Sequence, residues 1–205
     1  MKKFKILIPV YNDWQSLSNL LNNIDDEIKN LDHEISIIVI DDASTFHRHL
    51  NIKNLLNIRS IKILSMKENR GHARCIATGL KYIFDKEEFD YVIPMDGDGE
   101  DRPEEIKEFI KTIEITPEQT IVGIRVKRSE AFFFKFCYFF HKIITLVFTG
   151  HSIKFGNFSC LTKHTIEKLL KEKATWNSFS GALTKVEKNK ISVPSIRGKR
   201  YFGPS

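Results

Sequence analysis

At 205 residues, with 41% hydrophobic and 28% charged side chains, the chain suits one folded domain, and its composition excludes intrinsic disorder. Three widely separated cysteines, Cys75, Cys137 and Cys160, exclude a disulfide framework or a cysteine metal site and suit a reducing cytosol. A net charge of +6 and a pI near 9.1 point to an anionic partner: nucleic acid, a nucleotide or an acidic membrane surface.

Phe4 to Val10 reads as a buried strand. Its resemblance to a secretory leader is superficial, because Lys5, Pro9 and Asn12 interrupt the apolar run and no small-residue cleavage site follows. Tyr11-Asn12-Asp13 turns into a helix with Trp14, Leu17, Leu20, Leu21, Ile24, Ile28 and Leu31 on one stripe. Ile35 to Ile40 is a second strand, ending in Asp41-Asp42-Ala43-Ser44, and Ile61 to Leu64 a third. After Asn69-Arg70-Gly71, a helix carries Ala73, Ile76, Ala77, Leu80, Ile83 and Phe84 on one face. Tyr91 to Met95 is strand four, Pro103 opens a helix with Ile106, Phe109, Ile110 and Ile113 inward, and Thr120 to Ile124 is strand five. Strands alternating with helices predict a doubly wound parallel sheet, which binds ligands beyond the carboxyl ends of its strands. Three polar clusters (Tyr11 to Asp13, Asp41 to Ser44 and Asp96 to Glu100) converge there.

The run Met95-Asp-Gly-Asp-Gly-Glu-Asp-Arg-Pro103 carries the chemistry. If the backbone stays extended past Met95, Asp96, Asp98 and Glu100 point to one side. Carboxylates so placed repel one another unless a cation sits among them, and oxygen ligands suit Mg²⁺ or Mn²⁺. The alternative reading is a solvated acidic turn. His47 and His49 read as solvated; His72 reads first as a helix cap and second as a phosphate contact. His141, His151 and His164 have no partners at metal spacing.

Residues 130–148 contain seven phenylalanines. On a helix, Ala131, Lys135, Tyr138, Lys142, Thr145 and Thr149 form one narrow, partly basic stripe beside a wide aromatic arc. Lys135, His141 and Lys142 make spanning a bilayer costly, so a helix lying in the membrane interface is expected, with an ordinary buried helix as the alternative. The segment around Gly156-Asn157-Phe158-Ser159, a helix through Leu169 and Leu170, and a basic tail with Arg197, Lys199 and Arg200 follow. The basic residues do not gather on a recognition helix, which argues against nucleic acid.

With these clusters placed, the chain resembles a family 2 glycosyltransferase of the GT-A fold, a Rossmann-like, mostly parallel sheet flanked by helices. It is most similar to the branch containing dolichol-phosphate mannosyltransferase and bacterial polyprenyl-phosphate glycosyltransferases. The residues that carry the likeness are Ile8-Pro9-Val10-Tyr11-Asn12, Ile40-Asp41-Asp42-Ala43-Ser44, Asn69-Arg-Gly71-His-Ala73 and Gly79, Met95 to Pro103 and Gly123-Ile-Arg125. Gly156 to Ser159 and Arg200 to Ser205 add to it. The resemblance implies that residues 1–125 bind a nucleotide sugar and that 126–205, in the same domain, face the acceptor. Pro9, Val10, Tyr11, Asn12, Asp42, Gly71 and Arg200 would hold the nucleotide. Asp96 and Asp98 would bind diphosphate and metal, with Glu100 as third ligand and Arg125 as a further catalytic cation.

The sequence departs from that branch at Asp13, Gly97, Gly99 and His151 to Lys154. Relatives commonly continue into membrane-proximal segments, so the likeness implies a fragment or a minimal form, peripheral on the inner face of the cytoplasmic membrane. No Asp or Glu lies between Glu130 and Glu167. An alcohol acceptor needs a general base, whereas a polyprenyl phosphate is already ionised, and it is the acceptor expected here. A saccharide hydroxyl acceptor, or a non-catalytic nucleotide- or membrane-binding module, are the alternatives. A nucleotidyltransferase lacks support, because no Gly-rich, Lys-containing loop lies near the N-terminus.

Overall fold

The computed structural model describes residues 1–126 and 155–202. The expected aromatic helix over 130–148, the neighbouring Lys127 and Arg128, and residues 203–205 lie outside the described residues. Among those described, no helix is long and apolar enough to cross a membrane.

Seven strands form one sheet: β1 (Lys3–Val10), β2 (Glu34–Asp41), β3 (Ser60–Ser65), β4 (Tyr91–Pro94), β5 (Thr120–Arg125), β6 (Phe155–Thr162) and β7 (Lys190–Ser195). Their order is β3-β2-β1-β4-β6-β5-β7. β3, β2, β1 and β4 pair in parallel, β6 runs against both β4 and β5, and β5 and β7 pair in parallel. The five expected strands are present, and β6 and β7 join them. β7 is an edge strand, which tolerates Pro194 because its outer side needs no ladder partner.

Among the described residues the α-helices are α1 (Trp14–Ile28), α2 (His72–Lys86), α3 (Ile106–Ile115), α4 (Lys163–Lys171) and α5 (Phe179–Val186). Pro103 opens a 3₁₀ turn, Pro103–Glu105, which leads into α3. α1 starts where Asp13 accepts the Ser16 N–H at 3.3 Å, and Leu31 lies beyond its end.

Period-two alternation divides the central strands between two apolar layers. Phe4, Ile6 and Ile8 of β1, with Ile35, Ile37 and Val39 of β2, meet α1 and α3 through Leu17, Leu21, Ile24, Phe109 and Ile110. Leu7, Ile38 and Ile40 face α2, α4 and α5 through Ile76, Leu80, Ile83, Ile166 and Leu183. With both faces covered, the central strands need the near-continuous apolar runs the sequence has. Each such Leu or Ile contributes about 1.5–3 kcal/mol on burial. This sandwich sets the strand ends rigidly and leaves the polar clusters at the carboxyl edge.

Candidate active site

β4 ends at Pro94, and the chain then turns instead of staying extended. Asp98 Oδ1 accepts the Glu100 N–H at 3.0 Å, and Gly99 takes φ +91°, a conformation that suits glycine. The turn takes the third carboxylate out of the expected alternation. Asp96 and Asp98 line a cavity of about 270 Å³, whereas the Glu100 carboxylate is buried and paired with Arg197.

Pro9, Val10 and Tyr11 at the end of β1 line the same cavity with Asp13, His72, Gly97, Asn157 and Arg200. Tyr11 is half-exposed at its rim. His72 Nε2 lies 2.9 Å from Asp96 Oδ1, and Asn157 Nδ2, on β6, reaches the same oxygen at 3.3 Å. Arg200 Nε is 3.4 Å from Asp98 Oδ2, and its Nη2 is 3.7 Å from Asp13 Oδ2.

The remaining expected residues sit around the cavity without lining it. Asn12, at φ 55°, ties two loops: its Oδ1 accepts the N–H groups of Thr45 at 2.8 Å and Phe46 at 3.0 Å. Both oxygens of buried Asp42 are used, accepting the N–H groups of Arg70 at 2.7 Å and Gly71 at 2.8 Å. Asp42 thus positions the start of α2, which Gly71, at φ +87°, enters without a side-chain cap of its own. Arg125 ends β5, its guanidinium lying so close to Gly156 that a Cβ there would come within 3.2 Å of Nη2.

Negative charge dominates the loop, and the titration behaviour follows. Burial pushes Asp98 up, and the nearby charges of Glu100 and Asp96 add to this against a lowering hydrogen bond from the Glu100 N–H. Burial would push Asp96 up too, but the hydrogen bond and charge of His72 hold it below the usual carboxylate range. Partial burial disfavours the His72 cation, yet the hydrogen bond and charge of Asp96 outweigh this and raise its pKa. Burial and the Asp96 charge push Asp101 up to about 7, although its Oδ2 accepts the Asp96 N–H at 2.8 Å.

Among the described residues, no three His, Cys, Asp or Glu side chains form a metal cage. The two cavity carboxylates nevertheless fit a hard divalent cation, because such ions are often held by one or two carboxylates together with a ligand's phosphates. The upward push on Asp98 is the sign of under-compensated negative charge that such an ion would relieve.

The arrangement defines a class: an α/β protein with an acidic, oxygen-lined cleft beyond the carboxyl ends of β1 and β4, with Arg200 and His72 on its wall. The model of the family described as "Glycosyl transferase family 2" matches residues 5–179, and the chain belongs to that family. It is 27% identical over its whole length to an undecaprenyl-phosphate 4-deoxy-4-formamido-L-arabinose transferase of Proteus mirabilis, of whose length it spans 63%. Among solved structures it resembles a glucosyl-3-phosphoglycerate synthase of Mycobacterium tuberculosis in complex with Mn²⁺, UDP and glucosyl-3-phosphoglycerate. The TM-score is 0.65 at 12% identity, over 99% of this chain and 73% of the other. It also resembles a mannosyltransferase of Pyrobaculum calidifontis in complex with GDP-Man and Mn²⁺. There the TM-score is 0.61 at 16% identity, over 98% of this chain and 58% of the other. The fold is the GT-A type expected from the sequence.

Sequence reasoning gave no chemical part to Asp13, Asp101 or Asn157 and treated His72 mainly as a cap. A signal existed for Asp101, which extends the acidic run by one residue. Asn157 and His72 lie in stretches that carry the family resemblance, but their meeting with Asp96, from 61 and 24 residues away, is spatial.

Proposed function

We propose that the chain is a nucleotide-sugar-dependent glycosyltransferase that moves a sugar, with inversion, onto a polyprenyl phosphate. The observation that carries this reading is the cleft itself, in which Asp96 and Asp98 face Arg200 and His72 beside Pro9, Val10 and Tyr11. Family membership and the likeness to an undecaprenyl-phosphate transferase support it.

In this reading Pro9, Val10 and Tyr11 seat the nucleoside, with Asn12, Asp42 and Gly71 holding their loops in place. Asp96 and Asp98 would hold a Mg²⁺ or Mn²⁺ ion, which would supply charge neutralisation for the diphosphate leaving group. Arg200 binds the diphosphate from the cavity rim, and stabilises the negative charge that develops on it as the glycosidic bond breaks. His72 and Asn157 keep Asp96 ionised and oriented. Arg125 adds positive charge toward Asp96 and Asp101. The acceptor phosphate attacks without giving up a proton, which agrees with the lack of acidic residues from 131 to 166. A lipid-linked acceptor places the chain at a membrane surface, on the inner face of the cytoplasmic membrane.

The test is transfer of radiolabel from UDP- and GDP-sugars, with Mn²⁺ or Mg²⁺, to polyprenyl phosphate and in parallel to a saccharide. Labelled lipid that is lost on chelation with EDTA is the expected result. Labelled saccharide alone would replace the acceptor, and metal-dependent nucleotide binding without turnover would favour a binding module.

A further inference from the structure

Residues 196–201 leave β7 and run back over the carboxylate loop as a strap. The Ile196 N–H donates to Glu105 Oε1 at 2.7 Å, the Gly198 N–H to the Glu100 carbonyl at 2.8 Å and the Tyr201 N–H to the Asp98 carbonyl at 2.9 Å. Asn23 Nδ2 donates to the Tyr201 hydroxyl at 2.7 Å. The fit is close enough that a Cβ on Gly198 would lie 2.6 Å from the Gly99 carbonyl, and one on Gly99 would lie 2.5 Å from the Tyr201 ring. At the centre of the strap, Arg197 pairs with Glu100, whose side chain is only 7% exposed. Three residues further on, Arg200 reaches Asp98 and Asp13 in the cavity.

We infer that Glu100 and Arg197 are a clasp that holds this strap on the loop, so that Glu100 positions Arg200 instead of serving as a third metal ligand. Apart from Tyr201, which packs against the core, the strap has little apolar surface with which to hold itself down, and its Gly198 and Tyr201 backbone bonds end on the same loop that carries the clasp. Removing Arg197 strands the buried Glu100 carboxylate, and removing Glu100 takes from the half-exposed Arg197 its hold on the loop; either change lifts the segment. The geometry stands without the proposed function; its consequence for ligand binding rests on that reading.

The experiment uses the full chain, with hydrogen exchange of 196–202 read by mass spectrometry, Mn²⁺ binding by electron paramagnetic resonance, and UDP and GDP binding with Mn²⁺ by calorimetry. Glu100→Ala and Arg197→Ala should each raise exchange at 196–202, and the reversed pair Glu100→Arg/Arg197→Glu should restore protection. Mn²⁺ alone should bind Glu100→Ala as it binds the wild type. Nucleotide affinity should fall about tenfold in Arg200→Ala and in Arg197→Ala, with no further loss in the double variant, because both remove the same contact. Weakened Mn²⁺ binding in Glu100→Ala with unchanged exchange, additive losses in the double variant, or no recovery on charge reversal would each overturn the clasp. If the wild type binds neither nucleotide nor Mn²⁺, the donor cavity is wrong, and the exchange measurements still decide the clasp.

Discussion

His72 Nε2 and Asp96 Oδ1 are 2.9 Å apart, joining the first turn of α2 to the loop beyond β4. The pair lies at the cavity wall, where Asn157 reaches the same oxygen. His72→Ala should weaken nucleotide-sugar binding in the presence of Mn²⁺ by about fivefold to tenfold, the scale of one partly exposed charged hydrogen bond. His72→Gln, which keeps a donor, should recover most of that. Calorimetric titration decides it, and an unchanged affinity in His72→Ala would take the imidazole out of the site.

Asp98 should show a conflict between stability and activity. Its charge is disfavoured in the folded protein by burial and by Glu100 and Asp96. Asp98→Asn should therefore raise the Tm of the metal-free protein by about 2–4 °C, the shift expected of roughly 1 kcal/mol in a chain of this size. The same change should lower metal-dependent turnover by about 10³-fold or more. Thermal scans in EDTA and transfer assays in Mn²⁺ check the two halves, and full turnover in the variant would remove Asp98 from the mechanism.

Asp25 organises the segment before β3 from within α1. Its carboxylate accepts the N–H groups of Leu56 at 3.1 Å, Asn57 at 2.8 Å and Ile58 at 2.8 Å, and Asn57 Nδ2 adds a bond at 3.0 Å. Burial works against the charged form, but these donors outweigh it and hold the carboxyl below its usual range. A depressed folded pKa means that the stabilisation is complete above the unfolded value near 3.9 and is lost as pH falls through the folded one. Asp25→Ala should cost about 1–3 kcal/mol in urea unfolding at pH 7, since three N–H groups, that of Ile58 buried, lose their acceptor. The gap to the wild type should close below about pH 4. A gap that persists unchanged at pH 3 would contradict this account.

Gly79 lies where α2 presses on β1. A Cβ there would stand 2.2 Å from Leu7 Cδ1 and 2.9 Å from Leu7 Cδ2, with Ile40 Cγ1 at 3.1 Å. Alanine favours the helix by about 1 kcal/mol, but overpacking at such distances costs about 1–3 kcal/mol. Gly79→Ala should therefore lower the Tm, whereas an exposed control such as Lys81→Ala on the same helix should leave it almost unchanged. A higher Tm in Gly79→Ala would show that Leu7 can move aside.

Strand and helix order, the inward faces of α1, α2 and α3, and the acidic run after β4 were all legible in the sequence. Each is a local pattern, set by a period of two or 3.6 residues or by adjacent side chains that share one solvent. Tertiary structure decided what those patterns meet. It inserted antiparallel β6 between β4 and β5, made residues 190–195 an edge strand, and committed both oxygens of Asp42 to the start of α2. It also paired Glu100 with an arginine 97 positions further along, while Asp96 and Asp98 line the cavity. A carboxylate takes its role from the charge nearest to it in space. Folding alone determines which charge that is.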